Sequence, residues 1–274
     1  MSGGKFIING NVLFPDRSLK TAVGSQINVT GNGLLDIHGK VKFISDTTAH
    51  VIKVANGTLQ LHDSIIAPAM NQITLTVDSA GILKTGNNYI GASSVLINGI
   101  VEGGGKYANT FSLTSDDAIL KLKLNGFDEG QYEFVDALGD ISIKKGTIDI
   151  TVSGTINGSK QITILKSGGN YDILDNMAFV KVLVNGQDIT ANTAETQIPE
   201  GGGIFYFDPE TGVLGHLGTT GISDINSGKE VKRIEYFNFL GQKITQYQSG
   251  YVLKKITYTD DSFQTIKVLN KEKE

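Results

Sequence analysis

Two pairs of neighbouring acidic residues are the first side chains in this sequence that could do chemistry. Asp116 and Asp117 stand just before the alternating segment 118–124, and Asp128 and Glu129 follow it. Two carboxylates about 5–9.5 Å apart can hydrolyse a glycosidic bond. Short acidic side chains at such places also form turns, and the chain has no tryptophan that could stack on a sugar ring. We therefore expect turns at these four residues, and we lean towards a protein that is not an enzyme.

Histidines are the second group of candidates, because imidazole nitrogens bind metals and transfer protons. The four histidines are His38, His50, His62 and His216. The first three are spaced 12 residues apart, and Asp36 and Asp63 lie near them. Neither a His-x-His nor a His-Glu-x-x-His motif is present, so the common metal-binding spacings do not occur. We expect scattered surface histidines, no metal site and no cofactor.

Composition excludes several other classes of function. The chain has no cysteine, which rules out disulfides, thiolate zinc sites and a cysteine nucleophile. No Gly-x-Ser-x-Gly or P-loop motif is present. The formal net charge is −4, and no cluster of Lys and Arg could hold the phosphates of a nucleic acid. No apolar run approaches the roughly 20 residues of a membrane-spanning helix.

A weak repeat organises the chain from Lys5 to about Gly105. Short apolar segments recur, each introduced by a glycine, and these glycines are Gly10, Gly33, Gly57, Gly81 and Gly99, at spacings of 23, 24, 24 and 18 residues. A period of this size with two or three short strands predicts a β-solenoid, in which coils stack to share one core. We expect the glycines at corners because they tolerate positive φ. The pattern loosely resembles the β-helical stalks of autotransporters and adhesins; the alternative is an antiparallel sandwich.

The repeat fades from Tyr107 to about Gly218, where the predicted strands become longer. We expect irregular rungs and a β-sandwich-like cap over 107–218, because an open solenoid end would expose its core and unpaired strand edges. The segment Gly218–Gly221 is rich in Gly and Thr and predicts a linker. The chain is thus divided into a solenoid-like region 1–106, the region 107–218 and a C-terminal domain 222–274.

The C-terminal fifty residues carry the most specific pattern in the chain. Aromatic and branched residues alternate over 231–239, 251–258 and 263–269, which predicts three β-strands. The segments Tyr-x-Asn-x-x-Gly-Gln-x-Ile, Gly-Tyr and Lys-Val resemble the type A C-terminal sorting domain of the type IX secretion system of Bacteroidota. Family tails place one apolar residue between that Gly and Tyr, whereas the two are adjacent here. The sorting motif would comprise Tyr236, Asn238, Gly241, Gln242, Gly250, Tyr251 and Lys267.

The resemblance implies a small β-sandwich that the type IX secretion machinery recognises. In the family the tail is cleaved, and the body is then attached to surface polysaccharide or released. Residues 1–10 lack the long apolar stretch of a signal peptide, although such a protein must first cross the inner membrane. We therefore expect the chain to be a mature form, a cloned segment or a fragment of a longer protein. An ordinary β-sandwich appended to the body is the alternative for the tail.

These observations predict an all-β protein with a β-solenoid body and a small C-terminal β-sandwich. It would be secreted or lie on the outer cell surface and act without catalysis, as an adhesin, a glycan-binding protein or a structural element. Its expected partners are the secretion machinery and surface or host polysaccharide, with no nucleic acid and no membrane span. The alternative is a fragment or accessory region of a secreted polysaccharide-degrading enzyme.

Overall fold

The structure is a computed structural model of the 274-residue chain. It describes residues 4–14, 24–44, 49–67, 73–154, 156, 158–198, 203–218, 231–238, 242–244, 250–259 and 262–270. The chain divides into two compact units, Met1–Gly218 and Thr219–Glu274. Across the described ranges the fold is nearly all-β, with one short 3₁₀ helix at Leu174–Asn176, and no helix there is long and apolar enough to cross a membrane.

The strands of the first unit are short, as expected for a chain punctuated by glycine. They are β1 (Lys5–Ile8), β2 (Val12–Phe14), β3 (Gln26–Val29), β4 (Leu34–Ile37), β5 (Val41–Phe43), β6 (His50–Val54), β7 (Thr58–Leu61), β8 (Ile65–Ile66), β9 (Ile73–Val77), β10 (Ile82–Lys84), β11 (Tyr89–Ile90), β12 (Ser94–Ile97), β13 (Ile100–Glu102), β14 (Gly105–Tyr107), β15 (Thr110–Leu113), β16 (Ile119–Leu124), β17 (Val135–Ala137), β18 (Ile141–Ile143), β19 (Gly146–Val152), β20 (Lys160–Thr163), β21 (Leu165–Ser167), β22 (Tyr171–Asp172), β23 (Val180–Val184), β24 (Gln187–Asp188), β25 (Ile204–Asp208) and β26 (Val213–Leu217).

Most of these strands form three parallel sheets. Sheet I has the order β1-β4-β7-β10-β13-β16-β19-β23-β24, sheet II the order β2-β5-β8-β11-β14-β17-β21, and sheet III the order β22-β18-β15-β12-β9-β6-β3. From β1 to β19, consecutive strands enter different sheets, so each strand pairs with the one three positions along the chain. The parallel pairing over these strands excludes the antiparallel sandwich that the sequence left open.

Parallel pairing does not stop at residue 106. Strands β16 and β19 continue sheet I with Leu120 opposite Ile148, and β23 follows them. Antiparallel pairs occur in the later part of this unit, between β23 and β24 and in a three-stranded sheet of order β20-β26-β25. The region 107–218 therefore contains further parallel strands of all three sheets together with antiparallel pairs.

The core of the first unit is made of side chains that alternate inward along each strand. In sheet I the strand register stacks apolar side chains into a continuous row, Leu59, Leu83, Val101, Leu120, Ile148 and Val182, each fully buried. Burying one such side chain stabilises a fold by about 1.5–3 kcal/mol. A single strand cannot bury its own inward face, so the stacked row contributes to holding the successive strands of sheet I together.

The repeat glycines have a different role from the expected one. Within the described residues, Gly57, Gly81 and Gly99 do not have positive φ. They lie where successive coils approach closely: a Cβ on Gly57 would stand 2.6 Å from the carbonyl oxygen of Gly33, and one on Gly99 would stand 2.5 Å from that of Gly81. Real Cβ atoms do not approach a backbone that closely, so the absence of a side chain, rather than a turn conformation, explains glycine at positions 57, 81 and 99.

The second unit forms a four-stranded antiparallel sheet among its described residues. Its strands are β27 (Val231–Phe237), β28 (Lys243–Ile244), β29 (Gly250–Tyr258) and β30 (Phe263–Asn270), in the order β28-β27-β29-β30. The three longer strands match the segments in which aromatic and branched residues alternate. The described residues supply one sheet, and the second layer that a sandwich requires is not among them.

Candidate functional site

The outward face of sheet I carries a continuous row of polar side chains. Alternation along each strand turns them away from the apolar row, and the register places them opposite one another on successive strands. Asp36 is buried, and the other members are partly exposed. From β4 to β19 the row reads Asp36, Gln60, Lys84, Glu102, Lys121 and Asp149. Neighbouring members are separated by about 4.8 Å, the spacing of paired strands. We call this set the polar row.

A groove of about 460 Å³ lies along the middle of the polar row. Six of its ten lining residues carry charged or amide side chains. It is formed by Gln60, Lys84, Gly86, Glu102, Gly103, Lys121, Leu122, Lys123, Glu133 and Thr151. Gly103 has φ +95°, and a side chain at this position would contact Thr85 and Gly86. We call this the sheet I groove.

Glu102 is held between two lysines in this groove. Its carboxylate lies 2.9 Å from Lys84 Nζ and 3.5 Å from Lys121 Nζ. Burial would raise the pKa of Glu102, but the hydrogen bond from Lys84 and the charges of both lysines outweigh burial and hold its pKa below the usual value. Glu102 is therefore ionised at neutral pH, and it orients two ammonium groups on the groove floor.

Glu133 lies in the same groove, and its pKa is shifted in the opposite direction from that of Glu102. Its Oε2 accepts a hydrogen bond of 2.8 Å from the backbone N–H of Lys123. Burial raises the pKa of Glu133, and the charge of Glu102 raises it further, against the lowering effects of Lys123. One groove thus contains two carboxyl groups whose pKa values are displaced in opposite directions.

At the β4–β7 end of the polar row, Asp36 lies against two histidines. His62 Nε2 is 2.9 Å and His38 Nε2 is 3.6 Å from Asp36 Oδ1, and Lys5 Nζ is 3.6 Å from Oδ2. The two imidazole rings are stacked, with centroids 4.1 Å apart. Burial raises the pKa of Asp36, but the His62 hydrogen bond and the nearby positive charges outweigh it and lower the pKa.

His38 and His62 lie at the surface, as the sequence predicted, but they are stacked together beside Asp36 rather than scattered. For His50 and His216 the prediction of a surface position is wrong, because both side chains are buried. His50 Nδ1 accepts the backbone N–H of Ser25 at 3.1 Å, and His216 Nδ1 lies 2.9 Å from the carbonyl oxygen of Gly158. These two histidines serve the packing of the first unit.

The four acidic residues considered first lie in exposed turns, as the sequence indicated. The backbone N–H of Asp117 is bound by Ser115 Oγ, and the carbonyl oxygen of Asp128 accepts the N–H of Gln131. Asp116 reaches Lys145 Nζ at 3.5 Å. The sheet I groove does not include Asp116, Asp117, Asp128 or Glu129 among its lining residues.

No family model, curated protein or solved structure matches this chain.

Four residues of the predicted sorting motif, Tyr236, Gly250, Tyr251 and Lys267, lie on strands of the four-stranded sheet of the second unit. Tyr236 on β27 stands opposite Lys254 and Ile244. On β29 and β30, Gly250 pairs with Asn270, Tyr251 with Leu269, and Lys267 with Leu253. Gly241 lies outside the described residues.

Asn238 and Gln242 form a closed hydrogen-bonded pair at the end of β27. Asn238 Oδ1 accepts the backbone N–H of Gln242 at 2.9 Å, and Asn238 Nδ2 donates to Gln242 Oε1 at 2.9 Å. The backbone N–H of Asn238 also donates to the carbonyl oxygen of Gln242 at 2.9 Å. The Asn-x-x-x-Gln spacing therefore has a local structural reason, since it closes the connection from β27 to β28.

Proposed function

We propose that this protein is an exported β-solenoid protein of the cell surface that binds polysaccharide along the sheet I groove. The polar row is the observation that carries the proposal. It presents amide, carboxylate and ammonium groups in one straight line, and saccharide hydroxyls both donate and accept hydrogen bonds with such groups. A long polymer suits a regular row, because each further coil offers a similar set of contacts to the next sugar unit.

The groove also fits the general requirements of a binding site. It is a concave region whose floor is a rigid parallel sheet, and its polar groups are held in place by one another before any ligand arrives. Lys84 and Lys121 are fixed by Glu102, and Glu133 is fixed by the Lys123 backbone. Preorganised side chains lose less conformational entropy on binding, which favours affinity for a flexible polymer.

A retention experiment with the full-length chain tests this proposal. The protein is passed over immobilised host and algal polysaccharides, and retention and release of reducing ends are measured together. The double variant Lys84→Met/Lys121→Met should lose at least about tenfold in affinity, because two donors of the groove are removed. The matched control is Lys106→Met/Lys166→Met, which removes two lysines of sheet II. Equal retention of both double variants would refute the site.

A second function is favoured by the carboxyl pair in the groove. Glu133 would protonate the leaving oxygen of a glycosidic bond while the ionised Glu102 activates water or attacks the sugar. This second proposal is that the protein hydrolyses glycosidic bonds, as expected of a polysaccharide-degrading enzyme, with Glu102 and Glu133 as its two carboxyl groups. Reducing ends released by the native chain but not by Glu133→Gln, with retention preserved, would establish it. Retention on the polysaccharide without release of reducing ends would mean that the protein binds the polymer but does not hydrolyse it.

The second unit would direct export through the type IX secretion machinery. The support is the resemblance of its motif, together with the hydrogen-bonded pair that Asn238 and Gln242 form. A reporter fused to residues 219–274 and expressed in a bacterium with this system should reach the surface or the medium. The double variant Asn238→Ala/Gln242→Ala should reduce export, whereas Thr265→Ala, at an exposed position of β30, should not. Export without this unit would contradict the assignment.

A further inference from the structure

A cluster at one end of the polar row has the donor set of a metal site. Asp36, His38 and His62 each offer one ligand atom, and these atoms all lie within 4.8 Å of one another. Asp36 is buried, with 7% of its side chain exposed, whereas His38 and His62 are 45% and 39% exposed. The carboxylate is therefore fixed at the base of the cluster, and the two imidazoles close over it from the solvent side.

The strand register explains why the three residues meet. Asp36 stands opposite Gln60 on the next coil, and Ile37 stands opposite Leu61. His38 and His62 follow these paired strands directly, so they occupy equivalent places on successive coils. The stacking of their rings at 4.1 Å with an interplanar angle of 12° is the result. Both Nε2 atoms lie near the same carboxylate oxygen, Asp36 Oδ1, at 2.9 Å for His62 and 3.6 Å for His38.

His62 Nε2 is shared between two polar groups of this cluster. It lies 2.9 Å from Asp36 Oδ1 and 2.8 Å from the Gln60 amide nitrogen. A protonated Nε2 donates to the carboxylate, and a turned Gln60 amide presents its oxygen to the same N–H. When the ring nitrogen carries no proton, Nε2, the carboxylate and that amide oxygen are three groups that can coordinate a cation.

We propose that Asp36, His38 and His62 bind a divalent transition metal ion, with Zn²⁺ as the reference ion. Two imidazoles with one carboxylate form a donor set that zinc and its neighbours favour, whereas Ca²⁺ and Mg²⁺ take mainly oxygen ligands. Zinc–ligand bonds of about 2.0–2.2 Å place ligand atoms roughly 3–3.5 Å apart around one ion. The observed separations of 2.9 and 3.6 Å are close to this range.

The ion would join two successive coils of the first unit. Asp36 and His38 belong to the coil of β4, and His62 belongs to the coil of β7, so coordination would add a link across the strand pair. Lys5 Nζ, 3.6 Å from Asp36 Oδ2, offsets the carboxylate charge when no metal is bound. Lys5 is 55% exposed and can turn into solvent when an ion enters. The ion therefore competes with Lys5 for the same carboxylate.

Isothermal titration calorimetry of the full-length chain with Zn²⁺ tests the proposal. We expect one equivalent to bind to the native protein, and the double variant His38→Gln/His62→Gln should lower the affinity at least 100-fold. Both histidines are partly exposed, so these changes preserve the fold, which circular dichroism checks. Asp63→Asn is the matched control, since it alters an acidic residue next to His62 that is not part of the cluster, and it should bind zinc as the native chain does.

The variant Lys5→Gln distinguishes a metal site from a simple ion-pair cluster. Removal of the competing ammonium should increase zinc affinity about three- to tenfold, because two positive charges repel at this distance. Titration with Mg²⁺ in place of zinc should give no saturable binding. The proposal is overturned if the native chain binds no zinc, or if the double histidine variant binds it as tightly as the native chain.

Discussion

The two units of this chain use β-structure in opposite ways. In residues 1–218, the strands of sheets I to III from β1 to β19 pair in parallel with strands three positions apart in the chain, and most of these strands bury alternate side chains. In residues 219–274, the paired strands are antiparallel, and among the described side chains one large apolar residue, Tyr258, is buried. Ile234 and Phe263 of this unit are 44% and 65% exposed.

This difference separates two sources of stability. The first unit depends on contacts between successive coils, so its sensitive positions are those where one backbone approaches the next. In the second unit, the described contacts include the backbone pairing of its antiparallel sheet and the hydrogen bonds between Asn238 and Gln242 at the end of β27. In the polar row of the first unit, every member except the buried Asp36 is partly exposed.

The largest expected effect is that of Gly99→Ala in the first unit. The new Cβ would overlap the carbonyl oxygens of Asp78 and Gly81, and both belong to the coil beneath. Because the overlap is with backbone, relief requires movement of a whole coil, and we expect a loss of about 3 kcal/mol in the free energy of unfolding. Urea denaturation followed by circular dichroism measures it.

Gly10→Ala is the matched control for this change. A Cβ on Gly10 would have no heavy atom within 4 Å, and the residue does not have positive φ. We expect its unfolding free energy to change by less than about 0.5 kcal/mol. Equal effects of the two substitutions would mean that the close approach of coils is not what the repeat glycines provide.

A smaller effect is expected from Asn238→Ala in the second unit. The substitution removes the side-chain bonds to the backbone and side chain of Gln242, which should destabilise the β27–β28 connection by about 1 kcal/mol. Hydrogen exchange of the amides of β27 and β28 should become about fivefold faster, while amides of sheet I keep their rates. Thr265→Ala is the control; unchanged exchange in Asn238→Ala would show that the pair is not stabilising.

The all-β class and the repeat could be predicted from the sequence because both follow from local patterns. Alternating aromatic and branched residues located the three long strands of the second unit. The glycine spacing of 24 residues corresponds to the register in which Leu34 stands opposite Thr58 and Thr58 opposite Ile82. The repeat fades beyond Tyr107 because connections lengthen, although Ile119 still stands opposite Thr147 in the same sheet.

The candidate site was missed because its residues come together only through that register. Asp36, Gln60, Lys84 and Glu102 each lie three residues after a repeat glycine, and His38 and His62 each lie five residues after one. Aligning the chain on its glycines would have placed these side chains side by side. The role of Glu133 could not be found in this way, because it stands in a connection outside the strands.

The smallest expected effects concern Glu102 and Glu133 in the sheet I groove, whose replacement by Gln should change stability in opposite directions. The fold lowers the pKa of Glu102 and raises that of Glu133 from the usual value of 4.5. The ionised Glu102 therefore stabilises the fold above pH 4.5, and this contribution is lost as the pH falls through its lowered pKa. Ionisation of Glu133 opposes folding, so its cost appears as the pH rises from 4.5 through its raised pKa.

At pH 7, Glu102→Gln should therefore be less stable than the native chain and Glu133→Gln more stable. Both carboxyls are partly exposed and screened by solvent, so we expect differences of about a few tenths of a kcal/mol. The Glu133→Gln difference should vanish below pH 4.5, and the Glu102→Gln difference should shrink at still lower pH. Urea denaturation at pH 7 and pH 3.5 measures both, with Glu129→Gln in an exposed turn as the control. If both variants differed from the native chain in the same direction at pH 7, the groove would not shift the pKa values of the two carboxyls in opposite directions. The proposed acid role of Glu133 and base role of Glu102 would then have no electrostatic support.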